Sequence, residues 1–204
     1  MTLDGVINAN GIDNPRSGSG GSVYITCARL SGPGVVMANA GYASENYSGG
    51  GGRVAIVQTA AHDFAAFTGR ASAVNSNLAV ASGAGTVFMK SAGEGGTVVV
   101  SNTFFRAVAI TEFPMAADGD PKAVYKTVSF VVPTNATLSL VADCTVADLD
   151  LQSLTSKIEL NGHTLRVKSP KHNKGRGWGA SYQSLVTESG GAILWQPGFA
   201  VTVR

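Results

Sequence analysis

Asp143, Asp148 and Asp150 are the nearest approach in this 204-residue chain to a working carboxylate pair. Asp148 and Asp150 flank Leu149, so on an extended strand both carboxylates leave the same face, about 7 Å apart. One carboxylate of such a pair can protonate a glycosidic oxygen while the other acts as base, with Asp143 close by. The competing reading, and the preferred one, is a solvated strand face with Leu149 and Leu151 turned into the core. Tyr42 and Tyr47 bracket a turn rich in Ser, Asn and Gly, where exposed rings would stack on sugar faces. Lys171, Lys174, Arg176 and Trp178, continuing from Arg166 and Lys168, form the one dense basic cluster. It has the side chains to hold an acidic glycan, lipopolysaccharide or nucleic acid by charge and stacking. Its Pro, Asn and Gly content reads equally as a solvated loop.

Other chemistries fail on spacing. Asp118-Gly119-Asp120 begins a calcium loop, but the remaining ligands and the distal glutamate are missing. His62, His163 and His172 are scattered, so no metal site is expected. Gly49 to Gly52 precede Arg53 without the Lys-Ser/Thr of a phosphate loop, and no dinucleotide fingerprint occurs at Gly18, Gly20, Gly83 or Gly85. No Gly-x-Ser-x-Gly elbow is present. No cofactor is expected. Charged residues make up 14% and the formal net charge is +2, too little to suggest nucleic acid or an anionic membrane as a general partner. No apolar run approaches the roughly 20 residues of a membrane-spanning helix.

The elements that must position these residues are short and glycine-bounded. Gly5-Val-Ile-Asn-Ala-Asn-Gly11, Gly34-Val-Val-Met-Ala-Asn-Ala-Gly41 and, more loosely, Gly69 to Asn75 repeat one pattern that closes on asparagine. Between the copies lie alternating stretches: Val23, Ile25 and Cys27 share a face, as do Val54 and Ile56, and Val87 and Met89. Self-similarity at a few tens of residues predicts stacked coils. The closing asparagines, Asn8, Asn10, Asn39 and Asn75, would form an internal ladder. Helix signals are nearly absent, with Thr59 to Phe67 the best candidate and Ala117 to Pro121 reading as a turn.

After a break near 112–122, the denser part (123–204) places Leu138, Leu140, Leu149, Leu151, Ile158, Leu160, Leu165 and Val167 at alternating inward positions. Asn161-Gly162 reads as a hairpin turn or, preferably, a corner between two faces of a coil. Cys27 and Cys144 both point inward but lie several coils apart, so two buried free thiols are expected. The repeat starts almost at Met1 without polar capping, and the end, Phe199 to Arg204, is strand-like. A segment of a longer chain is expected, with no signal peptide visible in it.

The segments GVINANG, GGSVYITCARLSGPGVVMANAG, GGGGRVAIV, GAGTVFMK and SKIELNGHTLRV resemble the glycine-rich repeats of bacterial surface proteins of the autotransporter and adhesin-like group. The resemblance covers about three quarters of the chain. It implies an all-β, right-handed parallel β-helix over 1–204, with a Gly-rich part (1–111) ahead of the break. It further implies a non-enzymatic structural or adhesive module, exported to the bacterial surface or outside it, that meets a glycan or a host or cell-surface partner. The alternative on such a scaffold is a polysaccharide lyase or hydrolase.

Overall fold

The computed structural model describes residues 1–75, 82–103, 109–114, 119–168, 186–187 and 190–195, with the backbone alone for 45–47 and 186–187. The chain is all-β and its sheets are largely parallel. Three glycine-bounded units open it. The strands β1 (Val6–Asn8), β2 (Asn14–Arg16) and β3 (Ser22–Cys27) are followed by β4 (Val35–Met37), β5 (Ala43–Tyr47) and β6 (Arg53–Gln58), then by β7 (Arg70–Ser72) and β8 (Thr86–Lys90). Each strand pairs in parallel with its counterpart in the next unit: Val6 lies beside Val35 (35 − 6 = 29 positions on) and Ser22 beside Arg53 (53 − 22 = 31). Spacings that long leave room for a crossover, which parallel neighbours require.

Three further faces follow. The strands β9 (Thr97–Val99), β11 (Ser129–Val132) and β14 (Asp148–Leu151) extend the sheet begun by β3, β6 and β8. A second sheet contains β10 (Ile110–Phe113), β12 (Thr137–Leu140), β15 (Lys157–Glu159) and β17 (Val186–Thr187). A third contains β13 (Cys144–Val146), β16 (Thr164–Val167) and β18 (Ala192–Trp195). The spacing tightens here: Ser129 pairs with Asp148 (148 − 129 = 19) and Thr137 with Lys157 (157 − 137 = 20). The eight inward positions read from the alternation, from Leu138 to Val167, are all buried.

Among the described strands, one pair runs antiparallel, β8 with β9. It reverses the chain through a turn in which Glu94 N–H reaches the Ser91 carbonyl at 3.3 Å and Gly93 takes φ 77°. Residues paired across a sheet share a face. Phe88 lies opposite Val98, whereas Val87 lies opposite Val99. Val98 continues through Phe130 and Leu149 into one hydrophobic core. Val87 continues through Val54 and Val23 toward the other core, with Ile25, Ile56 and Leu30. The six-stranded sheet therefore carries one core against one face of its first half and a second core against the opposite face of its second half.

Asn161 (φ 49°) and Gly162 (φ 79°) form a corner, because β15 and β16 belong to different sheets. A left-handed backbone at two successive positions suits Asn and Gly. Asparagine does bridge successive units, but by amide oxygen to backbone rather than amide to amide. Asn10 accepts from Asn39 N–H (2.8 Å), Asn39 from Val74 N–H (3.0 Å), and Asn102 from Asn75 N–H (3.0 Å). Asn8 bonds locally, to Asn10 N–H (2.9 Å).

Two expectations need correction. Thr59 to Phe67 is not helical, because Gln58 Nε2 takes the carbonyls of His62 and Asp63 (3.0 and 3.2 Å) that a helix would use, and the Asp63 carboxylate accepts from Ala65 N–H (3.2 Å). The helix lies instead at α1 (Pro121–Val124), where Asp120 caps Lys122 N–H at 3.0 Å and proline opens the first turn. Both cysteines are free, Cys144 buried and Cys27 only half-buried, since β3 is the edge strand of its sheet. Among the described residues, no helix is long and apolar enough to cross a membrane.

Candidate functional site

The three aspartates do not meet. Asp143 sits in the turn before β13 and accepts from Thr164 N–H at 2.9 Å, with Lys122 Nζ and His163 Nδ1 each 3.8 Å from its oxygens. The Thr164 N–H, foremost, holds its carboxyl below the usual range against the opposing effect of desolvation, with lesser help from the Lys122, His163 and Arg166 charges. Asp150 accepts from Gln152 Nε2 at 2.7 Å. Asp148 is a correction: it was expected on a solvated face, yet it is only 4% exposed. A single residue, Ala147, separates β13 from β14, and Asp148 opens β14. Among the described residues no three His, Cys, Asp or Glu side chains are grouped to hold a metal ion.

The two tyrosines belong to one feature. In the first unit the chain leaves at Gly11 and returns at Gly18, whose N–H bonds to the Ile12 carbonyl at 3.2 Å. In the second it leaves at Gly41, and the two excursions stack as the pair β2 and β5. Tyr42 stands at the root of the second excursion, 60% exposed, its N–H bonded to the Asp13 carboxylate at 2.7 Å. Tyr47 ends β5, paired through its backbone with Arg16. Arg166 and Lys168 are exposed at and just after the end of β16, while Lys171, Lys174, Arg176 and Trp178 lie outside the described residues.

A cleft of about 970 Å³ lies between the outward face of β3, β6 and β8 and the edge of the second core. Its upper wall is the outward face of β3, β6 and β8, where Ser22, Arg53 and Thr86 stand in one paired row. Phe88 is two positions along β8 from Thr86, with Lys90 beyond it. The corner leading into each of these strands is glycine, Gly20-Gly21, Gly51-Gly52 and Gly85, so that wall is bare backbone. Glycine is required there because the backbones of adjacent units touch: a Cβ on Gly52 would fall on the Gly21 carbonyl oxygen, and one on Gly85 on the Gly52 carbonyl oxygen.

The other side is the edge of the second core. Phe113 and Phe130 pack with ring centroids 4.6 Å apart, and Tyr125 lies 5.9 Å from Phe130. Val98 and Leu138, both buried, also border it, as does the exposed Glu112 on β10. No motif in the sequence marks this place. Aligning the repeats on their glycines would have put Ser22, Arg53 and Thr86 at one position, since each follows the corner glycine. Burial of Phe113 and Phe130 beside that row depends on the reversal at β9.

Comparison with protein-family models, with curated proteins and with solved structures returned no match to this chain.

Proposed function

We propose that the parallel strands wind as right-handed β-helical coils, and that the chain is a non-enzymatic structural or adhesive module of a larger exported bacterial surface protein. Right-handedness follows the general preference of parallel crossovers. The observation that carries the reading is how side chains are used between coils. Asn10, Asn39 and Asn102 each bond a backbone N–H of a neighbouring coil, and Gln58, 1% exposed, joins Leu30 N–H (2.7 Å) and Ser91 Oγ (3.1 Å) from two others. The two buried amides among them, Gln58 and Asn102, tie their neighbours together out of water, which favours a rigid stack. A rigid stack that carries the exposed Tyr42 on a projecting excursion suits holding a glycan or cell-surface partner at a distance.

The rival reading, a polysaccharide lyase or hydrolase, would use the aspartates. Asp143 and Asp150 are engaged by Thr164 and Gln152, which favours the module. A glycan array followed by product analysis tests both. Retention of an oligosaccharide without cleavage, weakened about tenfold by Tyr42→Ala, is the expected result, a loss that corresponds to about 1.4 kcal/mol. Turnover of any glycan that Asp150→Asn abolishes would establish the enzyme instead.

A further inference from the structure

We infer that β3 is a self-pairing edge: two copies of this chain join their β3 strands antiparallel about a two-fold axis at Tyr24, continuing the six-stranded sheet from one molecule into the other. β3 ends that sheet, and it is the longest described strand in such a position. Arg53 N–H bonds to the Gly21 carbonyl and Thr59 N–H to the Cys27 carbonyl, both at 2.9 Å, so the odd-numbered residues of β3 face β6. Ser22, Tyr24 and Thr26 therefore turn their own N–H and C=O groups to the open edge. Proteins blunt such edges with short strands, charge or proline. Three other edges here are blunted: β1 has three residues, β2 carries Pro15 and Arg16, and β14, at the far end of the same sheet, carries Asp148 and Asp150. Ser22–Cys27 has none of these devices.

The strand itself selects a second copy as its occupant. A two-fold interface must be self-complementary, and Ser22-Val23-Tyr24-Ile25-Thr26 reads nearly alike in both directions. The register that engages all the free residues on both strands sets Tyr24 against Tyr24, and Ser22 against Thr26 of the second copy, each pair exchanging both of its backbone hydrogen bonds. On the outward face a hydroxyl then meets a hydroxyl and the two tyrosines meet at the axis. On the inward face Val23 meets Ile25 of the second copy. Such cross-strand pairs are favourable, and no like charges oppose one another. Exposure agrees with this pairing: Tyr24 is 73% exposed, and Val23 and Cys27 are only half-buried although they pack against the first core. Antiparallel addition to this sheet already occurs within the molecule, where β9 joins β8.

Sedimentation equilibrium of the unmodified chain, from about 1 to about 200 μM, tests the inference. A monomer–dimer equilibrium is expected, with the amides of Tyr24 and Thr26, fast to exchange in the monomer, slowing as the dimer fills. Tyr24→Lys, which puts two ammonium groups together at the axis, is expected to weaken the dimer at least tenfold at low salt while leaving the melting temperature of the monomer unchanged. Should that variant unfold, paired charges decide. Ser22→Lys with Thr26→Lys sets like charges opposite one another and is expected to abolish the dimer, whereas Ser22→Glu with Thr26→Lys sets opposite charges at the same positions and is expected to keep it. A chain that stays monomeric over that range, a dimer undiminished in a folded Tyr24→Lys protein, or equal weakening by the two charge variants each overturns the inference. So does a monomer whose β3 captures only a strand peptide of unrelated sequence, which would name a different occupant. Glycan retention through Tyr42 is measured separately and is expected to be unaffected by Tyr24→Lys.

Discussion

Gln58 shows how one polar side chain can hold several chain segments together. Its amide oxygen accepts from Leu30 N–H, and its amide nitrogen donates to the carbonyls of His62 and Asp63 and to the Ser91 hydroxyl, with the Gln58 side chain itself out of contact with water. Gln58→Leu keeps much of the bulk and strands these groups, each costing roughly 1–3 kcal/mol. A loss of about 3 kcal/mol in urea unfolding is expected, against under about 0.5 kcal/mol for exposed Thr59→Ala. Cys144 behaves differently from Cys27. Burial pushes its thiol up to about 12 from the ordinary 9.0, so the native state favours the neutral form. A group raised in this way supports the fold below about 9 and loses that support as pH climbs toward 12. At neutral pH, iodoacetamide is expected to label Cys27 well before Cys144, and equal labelling rates in the folded protein would contradict the burial. Asp143 has the opposite sign. Its carboxyl is held down by Thr164 N–H, so its contribution is present above the ordinary carboxylate range and disappears as pH falls through its lowered native value.

At the scale of elements, the glycine corners between strands are the sensitive points. The repeated glycines look in the sequence like ligand loops, and it is close backbone approach that requires them. Gly52→Ala would drive a methyl group into the Gly21 carbonyl of the adjacent unit. Overpacking of backbone against backbone costs about 1–3 kcal/mol or more, so the melting temperature is expected to drop by several degrees. Gly5→Ala, with open space at the same atom, is expected to leave it unchanged. The corner at Asn161-Gly162 was legible because two left-handed residues between alternating stretches allow few other geometries. The helix was not. Asp120-Pro121 carries both a cap and a first-turn proline, but in four residues that signal cannot be told from a turn.

At the scale of the whole molecule, the long sheet is the structural centre. β8 and β9 are covered by one core through Val87 and by the other through Phe88 and Val98, whereas β3 leaves Tyr24 73% exposed. Amides in the units that open only with global unfolding exchange slowest. Hydrogen exchange is therefore expected to be slowest in β8, β9 and their neighbours β6 and β11, and fastest in β1 to β3. Uniform protection from β3 to β14 would mean that the two cores do not share this sheet as described.

The inward residues were determined by the sequence itself, because a period of two in strand-forming residues leaves one face to bury, and Leu138 through Val167 obey it. So were the glycine corners, the asparagine at the end of each repeat and the bias toward parallel strands, since all are local patterns repeated. Only the tertiary structure decided that the sheet changes which face it buries. That switch rests on one antiparallel pairing, Val87 with Val99 and Phe88 with Val98, formed between strands whose own alternation is compatible with either direction. The cleft follows from the same switch. Ser22, Arg53 and Thr86 are distant in sequence from Phe113, Phe130 and Leu138, and no spacing rule joins residues brought together by a reversal of the chain.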